Sequence, residues 1–469
     1  MRISSLGSDI FNAISIEDNL MIIRNSQSSI IIAISLVFLA VITALGIFKI
    51  PLNFLVIGII ALSVFLIAFL NTDIALGILI FSMLLSPELK IAQVPARAVV
   101  VRLDDILLLV VFLAWIAKMA INKELGLLKF TPLNALMIGY IVVCFITTNV
   151  GILTGRINPL KSFFYIVKYV EYFLLYFLFT NNLRDKKQIE NFLKCFLITG
   201  FIVCIYGITQ IGVLSRTTAP FEGVKGEPNT LGGYLLLLFA VCMGLFLYSP
   251  LRKWRLTAGI LACLAIPPFI FTLSRSSYFS FIPMYLVLIF LSKKKKLFLI
   301  TTLILILVAG PFLLPQVATT VTKRIETTFD RGISYRYLGK EISLEESAAS
   351  KIESWKIVLG KLKKHPLLGY GVTGVGLVDS QYPRVLGETG IIGFLIFIML
   401  LTRVFKRTLY NFSNINDEWG QGLILGFFAG FIGLLFHSFG ANTFIIVRIM
   451  GPFWFLAAIV MALPEITNP

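Results

Sequence analysis

Apolar runs of roughly 20 residues, the length that crosses a bilayer as a helix, recur along almost the whole chain. They predict helices at 29–48, 52–70, 74–85, 105–120, 132–150 and 163–179, then at 192–211, 231–248, 256–273, 278–291 and 297–314. After a long polar stretch three more follow, at 391–401, 422–436 and 444–463. The pattern is that of an all-α polytopic membrane protein with about 12–14 spans, short runs such as 74–85 being long enough only for partial insertion. It divides into an arm (1–28), spans 1–11 (29–314), a polar loop (315–390), spans 12–14 (391–463) and a tail (464–469).

The polar loop has a pattern of its own. Ala348, Ile352, Trp355, Leu359 and Leu362 recur at helical spacing, with Lys351, Glu353, Lys356 and Lys361 opposite. This predicts an amphipathic helix lying on the membrane surface or across the mouth of a cavity, ended by Lys363, Lys364 and Pro366. Residues 322–336 form a second basic, partly amphipathic segment. The sequence HPLLGYGVTGVGLVDSQYPRVLGETGIIG then carries glycines at 369, 371, 374 and 376, followed by Asp379, Tyr382 and Arg384. It feeds straight into the apolar run that ends at Arg403. A polar, glycine-rich loop joined directly to a membrane helix points to chemistry at a membrane surface.

Composition narrows the class. Of 469 residues 58% are hydrophobic and 14% charged, whereas a soluble domain has roughly a quarter charged. The net charge of +17 would suggest nucleic-acid binding in a soluble chain, but cytoplasmic loops of membrane proteins are basic for another reason. With the amino terminus inside, the clusters at Lys118, Lys123 and Lys129, at Arg184, Lys186 and Lys187, at Arg252, Lys253 and Arg255, at 293–296, and at Arg403, Lys406 and Arg407 all fall on the cytoplasmic side. Both termini are then cytoplasmic, 314–390 lies outside, and no nucleic-acid partner is implied. The arm has no signal-peptide layout. Five cysteines (144, 195, 204, 242 and 263) sit in apolar segments as packing residues. With His365 and His437 the only histidines, no metal centre is expected, and no cofactor motif is present. The GYGVTGVG run resembles a nucleotide loop only superficially, and it lies on the face without nucleoside triphosphates.

Several basic residues break the charge rule on the outer face: Arg97, Arg102, Arg156, Lys161, Arg216, Lys225 and Arg275. An anionic ligand there would explain them, because guanidinium forks match phosphate oxygens. Arg216 stands in a Pro/Gly-rich loop with Glu222, Lys225, Glu227 and Asn229; its alternative role is snorkelling to headgroups. Arg275 interrupts two apolar spans within a Ser-rich turn, a costly position that is usually functional. Its alternative is pairing with a carboxylate or a helix C-terminus. Asp379 is suited to act as general base toward a sugar hydroxyl, as a positioning acceptor, or as an N-cap. Tyr382 and Arg384 are candidates for sugar and phosphate, while Glu388 with Gly390 shapes the start of the next helix. His437, at the end of the thirteenth span, either faces the same cavity or packs. Arg448, inside the last span, pairs with a carboxylate or with ligand phosphate.

In order and spacing these features resemble the O-antigen ligase / Wzy polymerase superfamily of bacterial membrane glycosyltransferases. The resemblance rests on the loop Arg216 followed by Pro228-Asn229, the Ser274-Arg275-Ser276 turn, the Trp355 helix leading to HPLLGYG, and DSQYPRVLGETGIIG. It implies a GT-C-like fold with a large extracytoplasmic loop in the bacterial inner membrane. It also implies a polyprenyl-diphosphate-linked glycan donor, a glycan acceptor, no cofactor, and a chain-length regulator and a flippase as further partners. By resemblance, Arg216 and Arg275 engage the diphosphate. The family's loop histidine is Asp379 here, which favours a repeat-unit polymerase over transfer to lipid A-core or protein. A small-anion transporter using the same arginines is the rival from another class.

Overall fold

The computed structural model describes residues 52–94, 97–124, 127–222, 226–309, 333–337, 340–344, 346–376 and 378–467, with single positions between 315 and 326. The predicted arm, the span at 29–48, Lys225 and most of the segment at 322–336 lie outside the described residues. The chain forms two compact units, one of residues up to Ile78 with Ile106–Leu127, the other of Leu79–Asp105 with Leu128–Pro469.

The first unit holds α1 (Leu52–Leu70), the start of α2 (Thr72–Leu85) and most of α3 (Leu103–Ile121). Within it the Lys118 ammonium donates to Thr72 Oγ1 at 3.5 Å. The second unit carries the candidate site. Its helices are α4 (Asn134–Leu153), α5 (Pro159–Asn182), α6 (Lys186–Thr209), α7 (Pro228–Tyr248), α8 (Arg252–Phe271), α9 (Arg275–Leu291) and α10 (Lys296–Ile304). They continue with α11 (Glu346–Leu362), α12 (Gln381–Asn414), α13 (Glu418–His437) and α14 (Val447–Thr467). Eight of the described helices, α4–α8 and α12–α14, are long and apolar enough to cross a membrane. The protein is therefore an all-α polytopic membrane protein in its spanning part. Two antiparallel ribbons add to it, β1 (Glu88–Val94) with β2 (Arg97–Arg102) and β3 (Ile333–Tyr337) with β4 (Lys340–Leu344).

Polar residues at the breaks in hydropathy start the helices. Asn158 accepts from Lys161 N at 3.1 Å ahead of Pro159, Asp185 from Gln188 N at 2.8 Å, and Asp417 from Gly420 N at 3.0 Å. Each satisfies one of the backbone donors that a helix N-terminus leaves open. The centre is α7, apolar all round and accordingly enclosed. It meets α13 backbone to backbone: a Cβ on Gly426 would lie 2.6 Å from both Ala240 O and Val241 Cα. Small residues at such crossings let helices approach closely in a membrane. Gly426→Ala should therefore cost about 1–3 kcal/mol as a lowered thermal midpoint in detergent. Gly139→Ala, whose Cβ would find only Ile396 Cγ2 at 3.9 Å, should be neutral; equal midpoints would contradict the crossing.

Both ends of α12 differ from the hydropathy reading. Helix α12 does not stop at Arg403 but runs through Arg403, Lys406 and Arg407 to Asn414, because long cationic side chains can reach water from a helix end. It also starts earlier, as a lead-in helix from Gln381 broken at Gly390, whose φ of 66° and ψ of −168° suit glycine alone. The amphipathic α11 exists, with its packed face rotated. Ser354 and Val358 are buried, and Val358 packs with Val375 and Val378, while Ile352 and Leu359 are exposed.

Candidate functional site

Helix α8 ends at Phe271, the chain turns through Thr272, Leu273 and Ser274, and Arg275 opens α9. Arg216 binds this turn: its Nε donates to Thr272 O at 2.9 Å and its Nη2 to Leu273 O at 3.1 Å. It thus satisfies carbonyls at a helix C-terminus, where positive charge is favoured. Thr217 reinforces the dock through its N–H to Phe271 O at 2.9 Å and its hydroxyl to Pro268 O at 2.8 Å. Two arginines far apart in sequence are brought to one turn, both half-buried.

The turn is held from behind by a chain of side-chain hydrogen bonds with one direction. The Ser274 hydroxyl donates to Asn229 Oδ1 at 2.7 Å, and the Ser277 hydroxyl donates to Ser274 Oγ at 2.8 Å. Ser277 Oγ lies 3.2 Å from His437 Nε2, and His437 Nδ1 lies 2.8 Å from Thr443 Oγ1. Since the Ser277 proton is used on Ser274, its oxygen accepts from Nε2–H, and Nδ1 accepts from Thr443. Glycines at 232 and 233 leave the room on α7 that Ser277 and His437 fill. His437, expected to touch substrate, is fully buried with both nitrogens engaged, which matches its packing alternative. It closes the hydrogen-bond chain behind the turn. His437→Ala should cost about 2 kcal/mol by leaving two buried hydroxyls short of partners, and His437→Gln should recover part of it; a wild-type thermal midpoint for the alanine variant would refute this chain.

The loop after α13 links the turn to α12. Gln381 N donates to Ser438 O at 3.0 Å, Phe444 N to Gln381 Oε1 at 3.1 Å, and Asn442 Nδ2 to Val378 O at 2.6 Å. Asp379 sits exposed on this junction, and Ser380 rather than Asp379 occupies the N-cap position of α12. Tyr382 donates its hydroxyl to Leu435 O at 2.7 Å. Arg384, expected at phosphate, is buried against Glu388 at 3.1 Å, with its guanidinium 5.0 Å from the Tyr165 ring centre. These two residues fix the lead-in helix, a role the apolar-run reading assigned to Glu388 and Gly390.

The glycine-rich run is a structural strap. Tyr370 N and Gly371 N donate to Gly387 O and Glu388 O at 3.0 and 2.8 Å, and Thr373 N reaches Glu388 Oε1 at 2.9 Å. Ser162 and Thr148 bind Val372 O and N at 2.8 and 3.1 Å. Gly371 has φ of 86° and a Cβ there would lie 3.0 Å from Thr147 O. Its N–H groups therefore serve the fold rather than a phosphate.

Several other cations are paired. Arg102 meets Asp104 at 3.0 Å and donates to Met83 O at 2.8 Å, and Lys168 bridges Asp105 and Glu171. Arg448 finds its carboxylate in Glu222, 3.6 Å away, and also donates to Pro220 O and Leu84 O. The guanidinium of Arg156 lies 5.6 Å from the Tyr370 ring centre. One cation was missed: Lys351 of α11 places its Nζ 3.4 Å from where a Cβ on Gly440 would stand, beside the same turn. Its alternation on the polar side of α11 was a visible signal, but the rotated packing was not. Gln381 Nε2 and Asn442 Oδ1 are buried without a partner among the described residues.

Fold and site together define a polytopic α-helical membrane protein with an arginine-rich turn at one end of its bundle. Residues 264–398 match the model of a family described as O-antigen ligase. The matched stretch contains Arg275, α11, the strap and the lead-in helix. No curated protein matches the chain.

Proposed function

We propose that the protein is a membrane glycosyltransferase joining polyprenyl-diphosphate-linked oligosaccharide units on the outer face of the bacterial cytoplasmic membrane, with both termini cytoplasmic. The observation that carries this is the docking of Arg216 onto the two carbonyls immediately before Ser274 and Arg275. It supports a fixed pair of guanidinium groups for a diphosphate, with Asn229 behind them and Lys351 alongside. In the reaction the bond from the anomeric carbon to the diphosphate oxygen breaks and a bond to the acceptor hydroxyl oxygen forms. The acceptor proton passes to the Asp379 carboxylate, and the departing polyprenyl diphosphate takes up the negative charge. Preorganised cations that meet this charge lower the barrier, and Asp379 has the exposure a base needs to reach an incoming acceptor. Lys225, four residues ahead of Asn229 in the sequence, is a further candidate contact to the substrate.

Transfer of the glycan to lipid A-core or protein is the second reading, favoured by the description of the matching family. Transport of small anions has less support, since Arg448, Lys168 and Glu171 are neutralised by internal partners. The test is purified protein in nanodiscs with a polyprenyl-diphosphate oligosaccharide and no nucleotide sugar, resolved on gels. A ladder of longer lipid-linked glycans establishes polymerisation, a single transfer on adding lipid A-core or protein acceptor establishes the ligase, and anion flux without either overturns both. A chain-length regulator and a flippase are the partners such a polymerase would need.

A further inference from the structure

A second basic site lies at the other end of the bundle. Arg448, at the start of α14, belongs to the end with the arginine turn through Glu222 and Pro220; Glu465, in the last turn of α14, lines a cavity of about 610 Å³ at the opposite end. Lys129, Arg184, Arg403 and Arg407 line the same cavity. They come from three separate places in the chain: the segment ahead of α4, the link after α5, and the middle of α12. The walls are built. Lys129 is stitched to α5 through its N–H to Asn181 Oδ1 at 2.6 Å and its carbonyl to Asn181 Nδ2 at 3.3 Å. Tyr176 is buried at the wall and donates its hydroxyl to Thr131 Oγ1 at 2.9 Å.

Four cations face one carboxylate here, and among the described residues no ion pair engages Lys129, Arg184 or Arg403. Arg403 and Arg407 also stand four apart on one helix, a spacing at which like charges destabilise. A general excess of basic residues at one membrane face explains cations at this end. It does not explain their convergence on one cavity, away from Lys194, Arg252 and Lys253, which line a separate groove at α6 and α8. Forked guanidinium groups on a concave wall match phosphate oxygens, and basic pockets between membrane helices take acidic lipid headgroups. Phe130, Leu133 and Met461 complete the lining with apolar surface, where the root of an acyl chain would lie. We infer that this cavity binds a phosphate-bearing anion, the headgroup of an acidic membrane phospholipid, independently of the reaction at the arginine turn.

The test measures binding of short-chain phosphatidylglycerol, phosphatidylcholine and inorganic phosphate to the full chain in nonionic detergent, by native mass spectrometry and thermal shift. Saturable retention of phosphatidylglycerol over phosphatidylcholine is expected, reduced tenfold or more in Arg184→Gln/Arg403→Gln. The charge-matched Lys194→Gln/Lys253→Gln should stay within twofold of the wild type. Glu465→Gln, which removes the one carboxylate, should bind several-fold tighter, a gain that misfolding cannot imitate. Equal losses in both double variants, or no preference over phosphatidylcholine, would overturn the site. Inorganic phosphate binding with the same arginine dependence, and no gain from acyl chains, would overturn the lipid as its source.

Discussion

Arg275→Ala should lower glycan transfer by roughly 10²- to 10³-fold, the loss typical of removing one preorganised charge-stabilising donor. Arg275→Lys should fall in between, since an ammonium keeps the charge and loses the fork. Arg275 opens α9 at a turn whose carbonyls are occupied by Arg216 and whose Ser274 is tied to Asn229 and Ser277. None of these four bonds uses the Arg275 side chain, so the alanine variant keeps them. The measurement is the initial rate of ladder formation at saturating donor, with the thermal midpoint recorded in parallel. A rate within threefold of the wild type at an unchanged midpoint would remove Arg275 from the chemistry. Arg216→Ala should lose both rate and midpoint, because Arg216 also holds the turn; that contrast separates the two arginines.

How far the sequence could lead depended on whether a feature was local. The long spans, α11 and the turn at Arg275 are set by hydropathy and breaks within a few residues, and they were readable. The lead-in helix was hidden because Pro383, Gly387 and Gly390 interrupt any period, and only the strap packed against it makes it a helix. The packed face of α11 differs from its apolar stripe, since Ser354 and Val358 are buried while Ile352 and Leu359 are exposed. The chain from Asn229 to Thr443 could not be seen at all: its links join residues 45 and 160 apart in sequence. Arg384 illustrates the cost of reading types without partners. Its charge suggested phosphate, yet a carboxylate four residues on already neutralises it.

That pair carries the largest expected effect on stability. Glu388 is buried and accepts from both Arg384 Nε and Thr373 N, so it ties the lead-in helix to the glycine-rich strap. Glu388→Ala should cost about 3–5 kcal/mol, because it strands the Arg384 guanidinium in an apolar site facing Tyr165 and leaves a strap amide unpaired. Arg384→Met strands the carboxylate instead and should cost a similar amount. The double variant Arg384→Met/Glu388→Leu buries no lone charge, so it should be clearly more stable than either single change. Thermal midpoints in detergent give the cycle, and limited proteolysis within 365–380 reports whether the strap has come loose. A double variant no better than the worse single would mean that the ion pair is incidental to the docking. The transfer rate adds the functional reading. Because Asp379 and Gln381 are carried on the same junction, loosening the strap should reduce transfer even in molecules that remain folded, and the double variant should restore much of it. Stability without activity in the double variant would show that Arg384 acts at the substrate after all.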